Sequence, residues 1–299
     1  MKDGHVTIVT PLDNSPAQRA GVQAGEVILA VDGTNVAGFN LLQVVKLISG
    51  PVGTNVKLLI LDPQTRQTRE VNLTRAEIKA QNVTWNRLPG TQIDHLRIAA
   101  FSEMVTKSLI KALKAIEHEK SQGIVLDLRN NPGDLLDNAV STASQFLESG
   151  NVLLEKGAEG KIKNIPVKKD GVALHVPMVC LVNGGTASAA EIVAGALQDH
   201  DRAKLVGTKT FGTGTVLQDF PLSDGSALLL AVEEWLTPNG ETIWHKGITP
   251  DRVVPMTDGG SPLTPLEERG MTAQQLRQSK DRQLLEAMDL LTGESESSL

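Results

Sequence analysis

Met178-Val179-Cys180-Leu181-Val182-Asn183-Gly184-Gly185-Thr186-Ala187-Ser188-Ala189-Ala190-Glu191-Ile192-Val193 passes from a continuous apolar run, through two glycines, into a stretch whose apolar stripe continues to Ala196 and Leu197. A short apolar run bounded by turn residues is the pattern of a strand buried on both faces. The glycines permit a sharp turn, and Ser188 falls where the next helix begins, with Glu191 in its first turn. A hydroxyl at that place has two readings. It caps the helix, as serine commonly does, or it feels the positive end of the helix dipole, which favours a developing alkoxide, in the strand, turn, helix geometry that exposes hydrolase nucleophiles.

Outward from this stretch, Gly123-Ile-Val-Leu-Asp-Leu128 reads as a second buried strand and Ile93 to Phe101 as another. Helices are predicted over Val105 to Ile116, Leu135 to Leu147 and from Ala189 onward. Strand alternating with helix over 81 to 256 argues for an α/β layered domain. Residues 1–80 form a separate β-rich pattern: Val6-Thr-Ile-Val9, Glu26 to Val31, and a hairpin of Val56 to Leu61 with Arg69 to Leu73 around Asp62-Pro63. Between them Leu41, Val44, Val45 and Ile48 make one apolar helix stripe ended by Gly50-Pro51. From Thr257 a Gly/Ser/Pro-rich linker leads to one polar helix, about Thr272 to Leu291, and a disordered-looking end, Gly293 to Leu299.

Composition excludes several function classes. The 299 residues are 40% hydrophobic, ample for buried cores, and the net charge of −6 offers no concentrated basic surface for nucleic acid. Cys180 is the single cysteine, so neither an intrachain disulfide nor a cysteine-based zinc site is expected. His5, His95, His118 and His175 lack metal-ligand spacing, and no metal or cofactor is expected. No apolar run reaches the roughly 18 residues of a membrane span.

Several ordered segments resemble the C-terminal processing peptidases, also called tail-specific proteases. They are Asp127-Leu-Arg-Asn-Asn-Pro-Gly133, Asn183 to Asp199, Leu205 to Gly212, Pro221 to Ala227, Thr237-Pro-Asn-Gly240 and Lys246-Gly-Ile-Thr-Pro-Asp251. In front of them, Ser15-Pro-Ala-Gln-Arg-Ala-Gly21, Ala24-Gly25-Glu-Val-Ile-Leu-Ala-Val-Asp-Gly33 and the Leu41 to Ile48 helix resemble a PDZ domain of the bacterial protease type. The resemblance covers most of the chain. It implies a crotonase-like, ClpP-like α/β core with Ser188 as nucleophile, and a PDZ module that captures protein C-termini by strand addition. Leu41 and Val45 either face such a peptide or only the core. The carboxylate-binding loop and receiving strand would lie upstream of Met1, beside an export signal, since the resemblance implies work in the periplasm or cell envelope.

The resemblance also implies an oxyanion hole from backbone N–H groups at Gly133 and Ala189. The chain departs from the family where Asp134 replaces a usual second glycine, and Asp134 is expected to point outward as the cap of the helix at Leu135. Thr213 stands where the family has its general-base lysine, and Leu217 where a supporting glutamine is common, with Gln218 one step along. Threonine offers no comparable base at neutral pH. Lys209 is the candidate substitute, because a strand would put it on the same face as Thr213. His200 reads as a helix-end residue and His245 as surface. Two functions remain: a serine peptidase that cleaves proteins near their C-terminus through an acyl-enzyme on Ser188, slow unless another base is recruited, or a non-catalytic relative that binds peptides as an adaptor. Other acyl transfer on the same scaffold is a third, since fold does not fix function.

Overall fold

Side chains on a strand alternate between the two faces of its sheet, so a strand apolar at every position needs cover on both sides. The computed structural model supplies that cover; it describes all residues except 1–5, 9–10, 13–14, 24, 64, 78–81, 158, 257–260 and 294–299. Expectations that fall on His5, Val9, Ala24, the start of the linker and the last six residues lie outside the described residues. The chain divides into two compact units, Met1–Gln81 and Asn82–Leu299.

In the first unit, α1 (Pro16–Arg19) precedes β1 (Val27–Val31), β2 (Thr34–Asn35), α2 (Leu41–Ile48), β3 (Asn55–Leu61) and β4 (Thr68–Thr74). The strands form one antiparallel sheet in the order β2-β1-β3-β4, and Thr7 bridges to Val27 at its margin. Asn40 and Gln43 close a capping box on α2. Of the α2 stripe only Val44 is fully buried; Leu41 and Val45 are each 47% exposed, so core packing does not account for them.

The second unit begins with β5 (Val83–Arg87), β6 (Ile93–Ile98), α3 (Val105–His118), β7 (Gly123–Asp127) and α4 (Leu136–Ala143). It continues through β8 (Asn151–Gly157), β9 (Ile162–Pro166), β10 (Met178–Val182), α5 (Ala189–Asp199) and β11 (Lys204–Gly207). Then come β12 (Thr215–Pro221), β13 (Ala227–Leu236), β14 (Arg252–Val253), α6 (Pro265–Glu268), α7 (Ala273–Arg277) and α8 (Arg282–Thr292). The main sheet runs β14-β11-β10-β7-β6-β5, parallel except for β5. Met178, Cys180 and Val182 pack with Leu109, Val140 and Val193 of α3, α4 and α5. Val179 and Leu181 pack on the other side with Leu276, Leu284 and Met288. A second, antiparallel sheet has the order β12-β13-β8-β9.

The C-terminal segment departs from expectation. Instead of one polar helix it forms three short ones, and the last buries Leu284, Ala287 and Met288 against the sheet. The break comes at Asp281, whose carboxylate caps α8 at the Leu284 N–H (3.1 Å) while pairing with Arg129 (2.7 Å). An N-cap takes non-helical backbone, here φ −80° and ψ +76°, so a helix cannot run through it.

Candidate active site

In parallel α/β sheets the carboxyl ends of the strands lie along one edge, and ligand sites gather outside it. The loops that follow β7, β10 and β11, three neighbouring strands, carry Gly133, Ser188 and Thr213. Asparagines brace the first two. The Asn130 N–H donates to Asn183 Oδ1 at 2.9 Å and Asn183 Nδ2 donates back to Asn130 Oδ1 at 2.8 Å. Thr186 Oγ1 donates to the Leu128 carbonyl (2.8 Å) and the Ala187 N–H to the Asn131 carbonyl (2.9 Å).

Gly133 is placed hard against the Ser188 turn. A Cβ there would lie 2.7 Å from each of Ser188 Cβ, the Ala187 carbonyl and the Ala189 nitrogen, and its φ is +91°. Only glycine meets both demands. Ser188 itself has φ +54°, ψ −122°, a strained conformation for a residue with a side chain, as expected of a sharp strand-to-helix turn. Its hydroxyl forms no cap hydrogen bond; the Glu191 N–H goes instead to the Ser188 carbonyl, at 2.9 Å. Ser188 still holds the N-cap position of α5, and Glu191 Oε2 accepts from its N–H at 3.0 Å, the reciprocal half of a capping box.

Glu191 organises the third loop. Its Oε1 accepts from Thr210 Oγ1 (2.5 Å) and the Gly212 N–H (2.7 Å), and its Oε2 from the N–H groups of Ser188 (3.0 Å) and Thr213 (2.7 Å). One oxygen thus joins the backbone of Ser188 to that of Thr213. Burial pushes this carboxyl above its usual range, against the four hydrogen bonds that favour the anion. Ile248 and Trp244 close the other side of the loop: the Ile248 N–H donates to Thr210 Oγ1 at 2.6 Å, and a Cβ on Gly214 would meet the Trp244 nitrogen at 2.6 Å.

Three expectations need correction. The N–H of Gly133 is already engaged with Asn131 Oδ1 at 2.9 Å, which closes a turn on itself, so it is not an open donor. The N–H groups of Asp134 and Ala189 have no hydrogen-bond partner among the described residues. Asp134 is exposed but caps nothing, because the cap position of α4 is Leu135 and no side chain bonds to it; Asp134 instead takes φ +120°. Lys209 does not share a strand face with Thr213. β11 ends at Gly207 and β12 starts at Thr215, so 208–214 is irregular, with Thr210 buried, Thr213 half-buried and Lys209 exposed.

His200 ends α5 and its Nε2 lies 2.8 Å from the Asn151 carbonyl; His245 is exposed beside Trp244. Among the described residues no three His, Cys, Asp or Glu side chains converge as a metal site.

Sequence reasoning missed the reach of Glu191 and a buried ionic cluster beneath the site. His95 lies 2.6 Å from Glu268 and 3.1 Å from Asp127; Arg129 holds Asp127 and Asp281. Burial opposes a charge on His95, but the two carboxylates outweigh it and raise its pKa to about 9. The one available signal was charged residues inside and at the end of otherwise apolar strands, Asp94, His95, Arg97 and Asp127.

Residues 92–254 match the family described as Peptidase family S41, and residues 7–62 match a PDZ domain. The carboxy-terminal-processing protease of Bartonella bacilliformis is 39% identical over 259 residues, 85% of this chain and 59% of that protein. The carboxyl-terminal-processing protease of Synechocystis sp. is 36% identical over 289 residues, 96% of this chain and 65% of that protein. The chain thus spans less than two thirds of the length of these curated relatives. The solved structure of a photosystem II D1 C-terminal processing protease superposes with TM-score 0.79 at 33% identity, over 84% of this chain and 68% of that one.

Proposed function

Because the chain belongs to peptidase family S41, we propose that it is a C-terminal processing serine peptidase, with Ser188 as nucleophile. We read 1–80 as its PDZ module, 81–256 as a crotonase-like, ClpP-like core and 257–299 as a C-terminal segment. Ser188 Oγ attacks the scissile carbonyl and gives its proton to solvent water, the C–N bond breaks as the departing amine takes up a proton, leaving an ester on Ser188, and water hydrolyses that ester to a carboxylate and restores the serine hydroxyl. The N–H groups of Ala189 and Asp134 are the donors open to the oxyanion. Protein C-termini are the partners, with Leu41 and Val45 as peptide contacts on the PDZ helix, and the cell envelope is the place of work.

The observation that carries this reading is the strained Ser188 turn held against Gly133, with the Ala189 N–H left open. The serine proton has no lysine to receive it at Thr213, so acylation is slow by about 10²- to 10⁴-fold. A fluorophosphonate reacts with an activated serine without needing a good leaving amine. It is expected to label the full chain at Ser188 slowly but completely, and mass spectrometry of the labelled peptide checks this. Equal labelling after Ser188→Ala would defeat the assignment.

One observation favours a second reading, a non-catalytic peptide-binding relative: with Thr213 at the base position and Lys209 exposed, no evident base stands at the site among the described residues. Resistance of Ser188 to the probe, with peptide binding intact, would decide for it.

A further inference from the structure

β12 is the outermost strand of its sheet, and it begins two residues after Thr213, whose N–H is pinned by Glu191. Which of its backbone groups face outward follows from the hairpin turn. The Leu222 N–H donates to the Ser226 carbonyl at 2.7 Å, and the Leu222 carbonyl accepts from the Gly225 N–H at 3.1 Å, so both groups of Leu222 point inward. Antiparallel pairs alternate between hydrogen-bonded and non-hydrogen-bonded. The ladder runs unbroken from Pro221 opposite Ala227 to Leu217 opposite Ala231. Phe220 and Gln218 therefore spend their N–H and C=O groups on β13, while Leu217, Asp219 and Pro221 turn theirs outward. No described strand pairs with that edge.

Pro221 brings no N–H to the edge, which closes the far end to further pairing. The near end adjoins the loop that Glu191 ties to Ser188. The open stretch, Leu217 to Asp219, is therefore bounded by a proline on one side and the site on the other. Soluble proteins ordinarily blunt such edges with charge. Here Leu217 is 55% exposed and Phe220 37%, and Asp219 is the only charged side chain on the strand.

Resting on the reading of Ser188 as nucleophile, we propose that the outer edge of β12, at Leu217 and Asp219, receives an extended segment of the substrate polypeptide by strand addition. Main-chain pairing supplies the affinity and is indifferent to sequence, while alternate side chains of the segment meet Leu217 on one face and Phe220 on the other. The strand has no basic side chain to hold a phosphate, and the chemistry at its near end is attack on a peptide carbonyl. A second copy of the chain is a poor occupant. So short an edge buries far less than the roughly 1,000 Å² of a stable interface.

The test uses the full chain and β-casein, a polypeptide without stable fold. Residue-resolved amide hydrogen exchange is compared with and without saturating β-casein. The Leu217 and Asp219 amides are expected to slow by about tenfold or more, while the already paired Gln218 and Phe220 amides change little. Leu217→Pro removes an outward N–H without touching the ladder. It is expected to weaken β-casein binding, read by fluorescence anisotropy, about three- to tenfold. Unchanged exchange at both amides, or unchanged affinity in Leu217→Pro, overturns the proposal. So does protection that appears without β-casein and rises with protein concentration, because a second copy would then hold the edge. Edge protection with Ser188 inert to fluorophosphonate supports strand addition and rejects the nucleophile reading alone; labelling without protection does the reverse.

Discussion

Four donors meet one carboxylate at Glu191, two on each oxygen, and two of them belong to the residues whose spacing matters most, Ser188 and Thr213. A buried carboxylate is tolerated only when its lone pairs are filled, and here the filling fixes a loop that has no strand or helix of its own. Glu191→Gln turns two acceptor sites into an amide NH₂ facing N–H or O–H donors. At about 1–3 kcal/mol for each buried group left unsatisfied, the variant is expected to lose ~2–5 kcal/mol in urea unfolding and to react more slowly with fluorophosphonate. Wild-type stability in that variant would show that the carboxylate does not organise the loop. Ser188-Ala-Ala-Glu191 has the spacing of a capping box, and that local pattern hid the role. The partners at Thr210, Gly212 and Thr213 are set by the tertiary fold, which spacing along one helix does not encode.

Among elements, those buried on both sides were the legible ones. β7 and β10 announce themselves as apolar runs because helices cover both faces, and α5 follows from its stripe. The hairpin of β3 and β4 was legible from its turn; the structure sets its register, with Leu61 opposite Thr68. The 208–214 loop was not, since Lys209 and Thr210 alternate like strand residues while the loop backbone is held by Glu191 at Gly212 and Thr213 and by Ile248 at Thr210. Nor were the three C-terminal helices, whose docking depends on charge: Arg129 Nη1 reaches Asp281 at 2.7 Å, both side chains fully buried. Asp281→Ala removes an α8 cap and one of the two carboxylates paired with that buried guanidinium. The expected cost is ~3–5 kcal/mol, read as a lower urea midpoint. A change under ~1 kcal/mol would mean that water reaches Arg129 and that the C-terminal segment is not clamped as described.

Over the whole molecule, the ionic cluster ties stability to pH. The pKa of His95 in the folded chain, about 9, lies above its ordinary 6.5, so folding favours its protonated form. That contribution is complete below about pH 6.5 and is lost as pH rises through 9, with an upper size on the order of 3 kcal/mol. Urea unfolding of the Asn82–Leu299 unit is expected to weaken across that window, and His95→Gln is expected to flatten the dependence; a wild-type profile without slope there would place His95 uncharged in the fold. Under the proposed function, Ser188 stands in a formed serine-peptidase site that lacks only its base. Peptide hydrolysis by the full chain and its Thr213→Lys variant tests this most directly, with unfolded β-casein as substrate. The account predicts a gain of about 10²- to 10⁴-fold in the variant, abolished when Ser188→Ala is added. Turnover that Thr213→Lys leaves unchanged, or that survives the loss of Ser188, would contradict it.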